Sequence, residues 1–163
     1  MTVGRVHAKG PTGSGFSIAT ATGRSSRVML TAAHVVRDRD PSSIVFVHPD
    51  GRGFPVERVE SDEDIDVAVP HLRAELDGFV AARVRDRLAW QVDARPRDND
   101  PRLTGEVIDS RRLFSKSGGR DVRVVQLRAH EAIGDYQGYS GSPVMLGLTE
   151  SPPVLGVLIE QLR

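Results

Sequence analysis

Cysteine is missing from this chain altogether. Its absence removes disulfide cross-links, thiolate nucleophiles and cysteine-ligated zinc in one step. Small secreted domains often depend on disulfides. The N-terminus, MTVGRVHAKG, has no apolar leader core, and no run approaches the ~18 apolar residues that span a bilayer. A soluble chain in the cytoplasm, without a membrane partner, is the expectation. Lysine is nearly absent too: only Lys9 and Lys116 accompany 20 arginines, a bias of coding rather than of mechanism. Net charge is zero, with 22 basic and 22 acidic residues, so no global field favours nucleic acid and none is expected as a partner.

Several familiar sites are also incomplete. HEAIG at His130 begins like a zinc-protease helix but has no second histidine, so no metal is expected. GSGFSI at Gly13 to Ile18 lacks the third glycine of a dinucleotide fingerprint. SKSGGR carries its glycines after the lysine, unlike a phosphate-binding loop. No organic cofactor is expected either.

What is present is a succession of short β-like runs with turn residues between them. At 163 residues the chain has room for one compact domain or two small halves sharing an interface. Strands are expected at Val3 to Lys9, Gly15 to Thr20, Arg27 to Thr31, Ile44 to His48, Phe54 to Glu60 and Val67 to Leu72. From Arg73 to Arg102 the sequence turns charged and proline-containing, with a weak helical pattern at Arg73 to Leu88, one strand near Trp90 to Ala94, and a loop at Ala94 to Arg102. Strand patterning resumes at Leu103 to Asp109, Val122 to Ala129, Ser142 to Leu146 and Pro153 to Gln161, with a hairpin turn in KSGGR at Lys116 to Arg120. The fold class is all-β.

The stretch GDYQGYSGSPV, Gly134 to Val144, holds a serine bracketed by glycines. It comes close to the GxSxG elbow of α/β-hydrolases, but Ser142 replaces the last glycine and no histidine follows Ser140. No Asp or Glu precedes His34, which excludes the acid, histidine, serine order of subtilisins if His34 is the base. Only histidine, acid, serine remains.

In that order the motifs resemble those of chymotrypsin/trypsin-like serine proteases. LTAAHVV, Leu30 to Val36, looks like the family's histidine motif, DVAV at Asp66 to Val69 like its aspartate strand, and GYSGSPV like its nucleophile loop. The separations of 32 residues from His34 to Asp66 and 74 from Asp66 to Ser140 are similar to those of short bacterial members. GSGFSI fits the opening hairpin, so the likeness covers nearly the whole chain. It implies two six-stranded antiparallel Greek-key barrels, the first at about 1–75, a linker at about 76–89 and the second at about 90–163. About five strands can be found after the linker, so the second barrel is expected to lack its last strand, and the chain to be the N-terminal module of a longer signalling or defence protein, with regulatory domains beyond Arg163.

The resemblance also assigns roles. Ser140 would be the nucleophile, His34 the base that takes its proton and returns it to the leaving amine, and Asp66 the group that orients the imidazole. Asp64 is the fallback for the acid. The backbone N–H groups of Gly138 and Ser140 would form the oxyanion hole, one such donor being worth about 3 kcal/mol in the transition state. Substrate would be bound by Gly134, Asp135, Tyr136 and Gln137 before the nucleophile and by Ile159, Glu160 and Gln161 on the late strand, with Asp135 favouring a basic residue before the scissile bond. Tyr139 stands where animal trypsins carry the acid that receives a newly cut N-terminus, so activation by that ion pair is not expected. The implied function is serine endopeptidase action on protein or peptide substrates through an acyl-enzyme. The alternative is a non-catalytic protein-binding module on the same fold.

Overall fold

The computed structural model describes residues 3–7, 12–19, 23–93, 102–115, 121–131, 138–147 and 152–159. Strands β1 (Val3–His7), β2 (Thr12–Ser17), β3 (Ser25–Ala32), β4 (Val45–Val47), β5 (Gly53–Asp62) and β6 (Val67–Asp77) form the first half. A single helical turn, α1 (Ala33–Val36), follows β3 directly. These six strands close into an antiparallel barrel in the order β1-β2-β3-β6-β5-β4.

The second half contains β7 (Ala89–Val92), β8 (Leu103–Ser115), β9 (Asp121–Ala129), β10 (Pro143–Leu146) and β11 (Val154–Val157). Among the described residues it is an open five-stranded sheet, β11-β10-β7-β8-β9. The first barrel, read from β5, runs β5-β4-β1-β2-β3 before β6 closes it. The second sheet repeats that order without the closing strand. The all-β, two-barrel architecture is therefore the observed one, with five strands of the second half among the described residues.

Period-two burial explains the first barrel. In β6, Ala68, Pro70 and Leu72 point inward and are buried, while Val67, Val69 and His71 are half-buried; this is the alternation a strand imposes on its two faces. Ala68 and Leu72, with Val6, Met29, Ala32, Ile44, Phe46 and Val56, fill the barrel. Trp90, Val92, Leu103, Val107, Tyr139 and Val144 form the second core. A third cluster, Phe16, Phe79, Met145 and Val154, joins the halves. There Phe16 and Phe79 meet edge to face with centroids 5.8 Å apart, and burying each such side chain is worth roughly 1.5–3 kcal/mol.

Arg73 to Leu88 contains no helix. β6 continues through it to Asp77, and beyond that only single bridges occur, Phe79 with Ile18 and Ala81 with Val154. The charges of RAELD had disguised a strand whose polar residues face water: Ser25 and Ser26 pair with Asp77 and Leu76, and the Ser25 hydroxyl donates to Glu75 at 2.9 Å. β8 likewise runs past Asp109 to Ser115, accommodating two register shifts against β9. The expected KSGGR turn and most of the Ala94 to Arg102 loop lie outside the described residues.

Candidate active site

The histidine is placed by a strand end. β3 stops at Ala32, and α1 begins with no side-chain cap of its own. Its first N–H groups, which a helix leaves without internal partners, are taken by one residue from far along the chain. Ala33 N–H donates to the Asp66 carbonyl at 3.0 Å, and His34 N–H to Asp66 Oδ1 at 2.9 Å. The other carboxylate oxygen, Oδ2, lies 2.7 Å from His34 Nδ1.

Asp66 reaches this position because the turn before β6 leaves it at φ 53°, in the left-handed region that Asp and Asn tolerate better than most residues. Asp64, the alternative acid, is exposed in the same turn, with its N–H on Asp62 Oδ1 at 3.1 Å. The carboxylate at His34 is that of Asp66. Across the turn, Arg37 Nε donates to Glu63 Oε2 at 2.6 Å, linking the end of α1 to the acidic loop.

The hydrogen bond to Asp66 raises the His34 pKa above 6.5, partial burial opposes it, and the charge of Asp66 adds to the rise. More distant Arg37 lowers it and Glu63 raises it. The His34 side chain is 39% exposed and that of Asp66 16%, so the imidazole keeps one edge toward solvent while the carboxylate is largely enclosed.

Ser140 sits on a tight loop between two left-handed glycines, Gly138 at φ 87° and Gly141 at φ 84°. Between them the chain turns on a 3.0 Å bond from Ser142 N–H to the Tyr139 carbonyl. The turn sends the Tyr139 ring into the second core, where it is 1% exposed, and leaves Ser140 half-buried. Gly141 N–H donates to the Leu158 carbonyl and Leu158 N–H to that of Ser142, both at 2.8 Å.

The same loop is held from the first barrel. Ser14 N–H on β2 donates to the Ser140 carbonyl at 2.9 Å, and the Ser14 hydroxyl reaches the Gly138 carbonyl at 3.4 Å. A side chain at Gly13 would collide with Val35 of α1 at 2.5 Å and approach the Ser140 carbonyl at 3.1 Å. The helix that carries His34 and the loop that carries Ser140 thus meet at one point of β2.

Ile159 packs against the first barrel's core, while its neighbour Leu158 packs against the second. Gly134, Asp135, Tyr136, Gln137, Glu160 and Gln161 lie outside the described residues. Sequence reasoning assigned no role to Ser14 or Thr31, although GSG beside a histidine motif marks the place where backbones come close. Among the described residues, no His, Asp and Glu side chains group closely enough to hold a metal ion, and no helix is long and apolar enough to cross a membrane.

A closed antiparallel barrel and a second curled five-stranded sheet make up the two-barrel fold of chymotrypsin-like proteases, and the helical turn with His34 and the loop with Ser140 both meet β2. The chain matches the trypsin-like peptidase domain family over residues 13–149 and belongs to it. Among solved structures it is similar to the Rv3671c protease of M. tuberculosis. With the inactive form of a serine-to-alanine mutant the TM-score is 0.72 at 20% identity, covering 97% of this chain and 74% of that one. With the active form it is 0.68 at 21% identity, covering 97% and 69%. At these identities the likeness is one of fold. No curated protein matches this chain.

Proposed function

We propose that this serine protease is an endopeptidase that works through an acyl-enzyme formed on Ser140. The observation that carries the proposal is the short bond between His34 Nδ1 and Asp66 Oδ2, 2.7 Å. An imidazole held in this way by a carboxylate presents Nε2 as a base and is stabilised once protonated.

In the first step His34 Nε2 takes the Ser140 hydroxyl proton as Oγ attacks the substrate carbonyl carbon. The developing oxyanion is received by the N–H groups of Gly138 and Ser140, which need no reorganisation at the moment of reaction. The carbon–nitrogen bond then breaks, His34 returns its proton to the leaving amine, and an ester to Ser140 remains. Water, deprotonated by the same imidazole, attacks the ester. The acid is released, Oγ recovers its proton and the enzyme is regenerated.

Substrate recognition is carried over by family likeness to Gly134–Gln137 and Ile159–Gln161, with Asp135 pairing with a basic side chain in a partly desolvated site. An alkyl fluorophosphonate tests the central claim. Covalent labelling on Ser140, lost in His34→Ala, is the expected result. Failure of the folded wild-type protein to label would overturn the proposal in favour of a non-catalytic binding module.

A further inference from the structure

Resting on the catalytic assignment above, we propose that Thr31 and Ser14 act as positioning residues, forming a hydrogen-bonded bridge that sets Ser140 against His34 across the two halves of the molecule. Neither touches the reacting atoms. Their role is to fix the distance between two groups that belong to different halves.

The bridge starts on the strand that carries the base. Thr31 is on β3, three residues before His34, and is wholly buried. Its hydroxyl donates to the Ser14 carbonyl at 2.7 Å. Ser14 then donates its own N–H to the Ser140 carbonyl at 2.9 Å, and its hydroxyl reaches the Gly138 carbonyl at 3.4 Å. One residue of β2 is therefore held by the histidine strand on one side and holds both the nucleophile and the residue offered to the oxyanion on the other.

The fit leaves no slack. A Cβ on Gly141 would lie 2.0 Å from the Ser14 carbonyl oxygen and 2.5 Å from Thr31 Oγ1, so the loop after the nucleophile rests directly on the bridge. Two backbones this close can shift little without breaking the hydrogen bonds between them. In β2 and β3 themselves, the pairing of Phe16 with Leu30 and of Ser17 with Met29 lies further along the ladder. At Ser14 and Thr31 it is the threonine hydroxyl that supplies the link. Replacing Thr31 with valine preserves shape but deletes the donor and leaves a buried carbonyl unsatisfied, which costs more than the bond was worth. The expected response is a shift of β2 and, with it, of Ser140.

The test uses the fluorophosphonate inactivation rate, resolved into a binding constant and a limiting rate. In Thr31→Val the limiting rate should fall about 10- to 100-fold, the penalty for a misplacement on the scale of an ångström. The binding constant should stay within about twofold, because the probe's contacts are untouched. Thr31→Ser should restore the rate, and the pH midpoint of inactivation should not move, since the His34–Asp66 pair lies on the near side of the bridge.

A limiting rate unchanged in folded Thr31→Val overturns the proposal. So does a rate loss accompanied by a shifted pH midpoint, which would place the defect at His34 itself. If Thr31→Val does not fold, Thr31→Ala decides, because it deletes the same hydroxyl donor to the Ser14 carbonyl: loss of limiting rate in a folded protein supports the bridge, and a wild-type rate overturns it. An unreactive wild-type enzyme overturns the catalytic assignment, and the bridge with it.

Discussion

Asp66 does two jobs with its two carboxylate oxygens, one on the His34 backbone and one on its ring. The ring contact raises the His34 pKa, so the neutral, basic form is reached only above the ordinary value near 6.5. Activity should therefore rise with pH through a midpoint higher than that of a free imidazole. Asp66→Asn removes the charge and the acceptor at Nδ1. Its inactivation rate by fluorophosphonate should fall about 10⁴-fold, and the remaining activity should titrate at lower pH. The linkage to stability has the opposite sense: a raised pKa stabilises the fold fully below the unfolded value, and the contribution is withdrawn as pH rises through the folded one. On the proposed mechanism activity should thus be highest where this pair contributes least to stability. The pairing of His34 with Asp66 was legible in the sequence, because the histidine and aspartate motifs resemble those of the family and stand in its order. The roles of Thr31 and Ser14 were not, because their significance lies in contacts with residues 17 and 124 positions away, and a single sequence carries no sign of such pairings.

α1 is only four residues long, far too short to persist on its own propensity. It exists because Val35 and Val36 bury into the first core and because Asp66 accepts its first two N–H groups. Substituting Asp66 should therefore affect folding in proportion to what is left at the helix start. Asn keeps an oxygen for the His34 N–H and tolerates positive φ. Ala does neither. Urea denaturation should find Asp66→Ala less stable than Asp66→Asn by about 2 kcal/mol, combining a lost cap with the left-handed backbone. Equal midpoints would show that the helix is held by packing alone. The sequence showed the histidine motif as an apolar run but not its helical turn, since four residues are too few to establish a period. β6 was cut short in the sequence for a related reason: its outer end alternates charge with apolar side chains, and only pairing with Ser25 and Ser26 identifies it as strand.

Across the whole molecule, the two halves differ in closure. Every strand of the first barrel has two neighbours, whereas among the described residues β9 pairs with β8 alone. The apolar residues that remain partly exposed in the second core include Val125, Leu127 and Ala129 on β9 and Leu155 on β11, the strands flanking the open side. The closed barrel should be the more cooperative unit. Amide hydrogen exchange should be slowest in β3 and β6 and faster by an order of magnitude or more in β9. Uniform protection across both sheets would show that the open side is covered in solution. The all-β character was legible from the β runs, and the two-barrel plan from the motifs that resemble the family's. The third cluster, in which Phe16 and Phe79 lock the halves together, was not, because residues so far apart in the chain give no local pattern.

The bridge from Thr31 through Ser14 to Ser140 also bears on timing. During synthesis the first barrel, complete with His34 and Asp66, emerges from the ribosome before Ser140, and on the proposed mechanism it then has no nucleophile. The loop that carries Ser140, made later, has no base until it docks on β2. On the proposed mechanism neither half could cut a peptide bond alone, so proteolysis would switch on only with finished assembly, and a half-made chain would pose no threat to itself or to the polypeptides folding beside it.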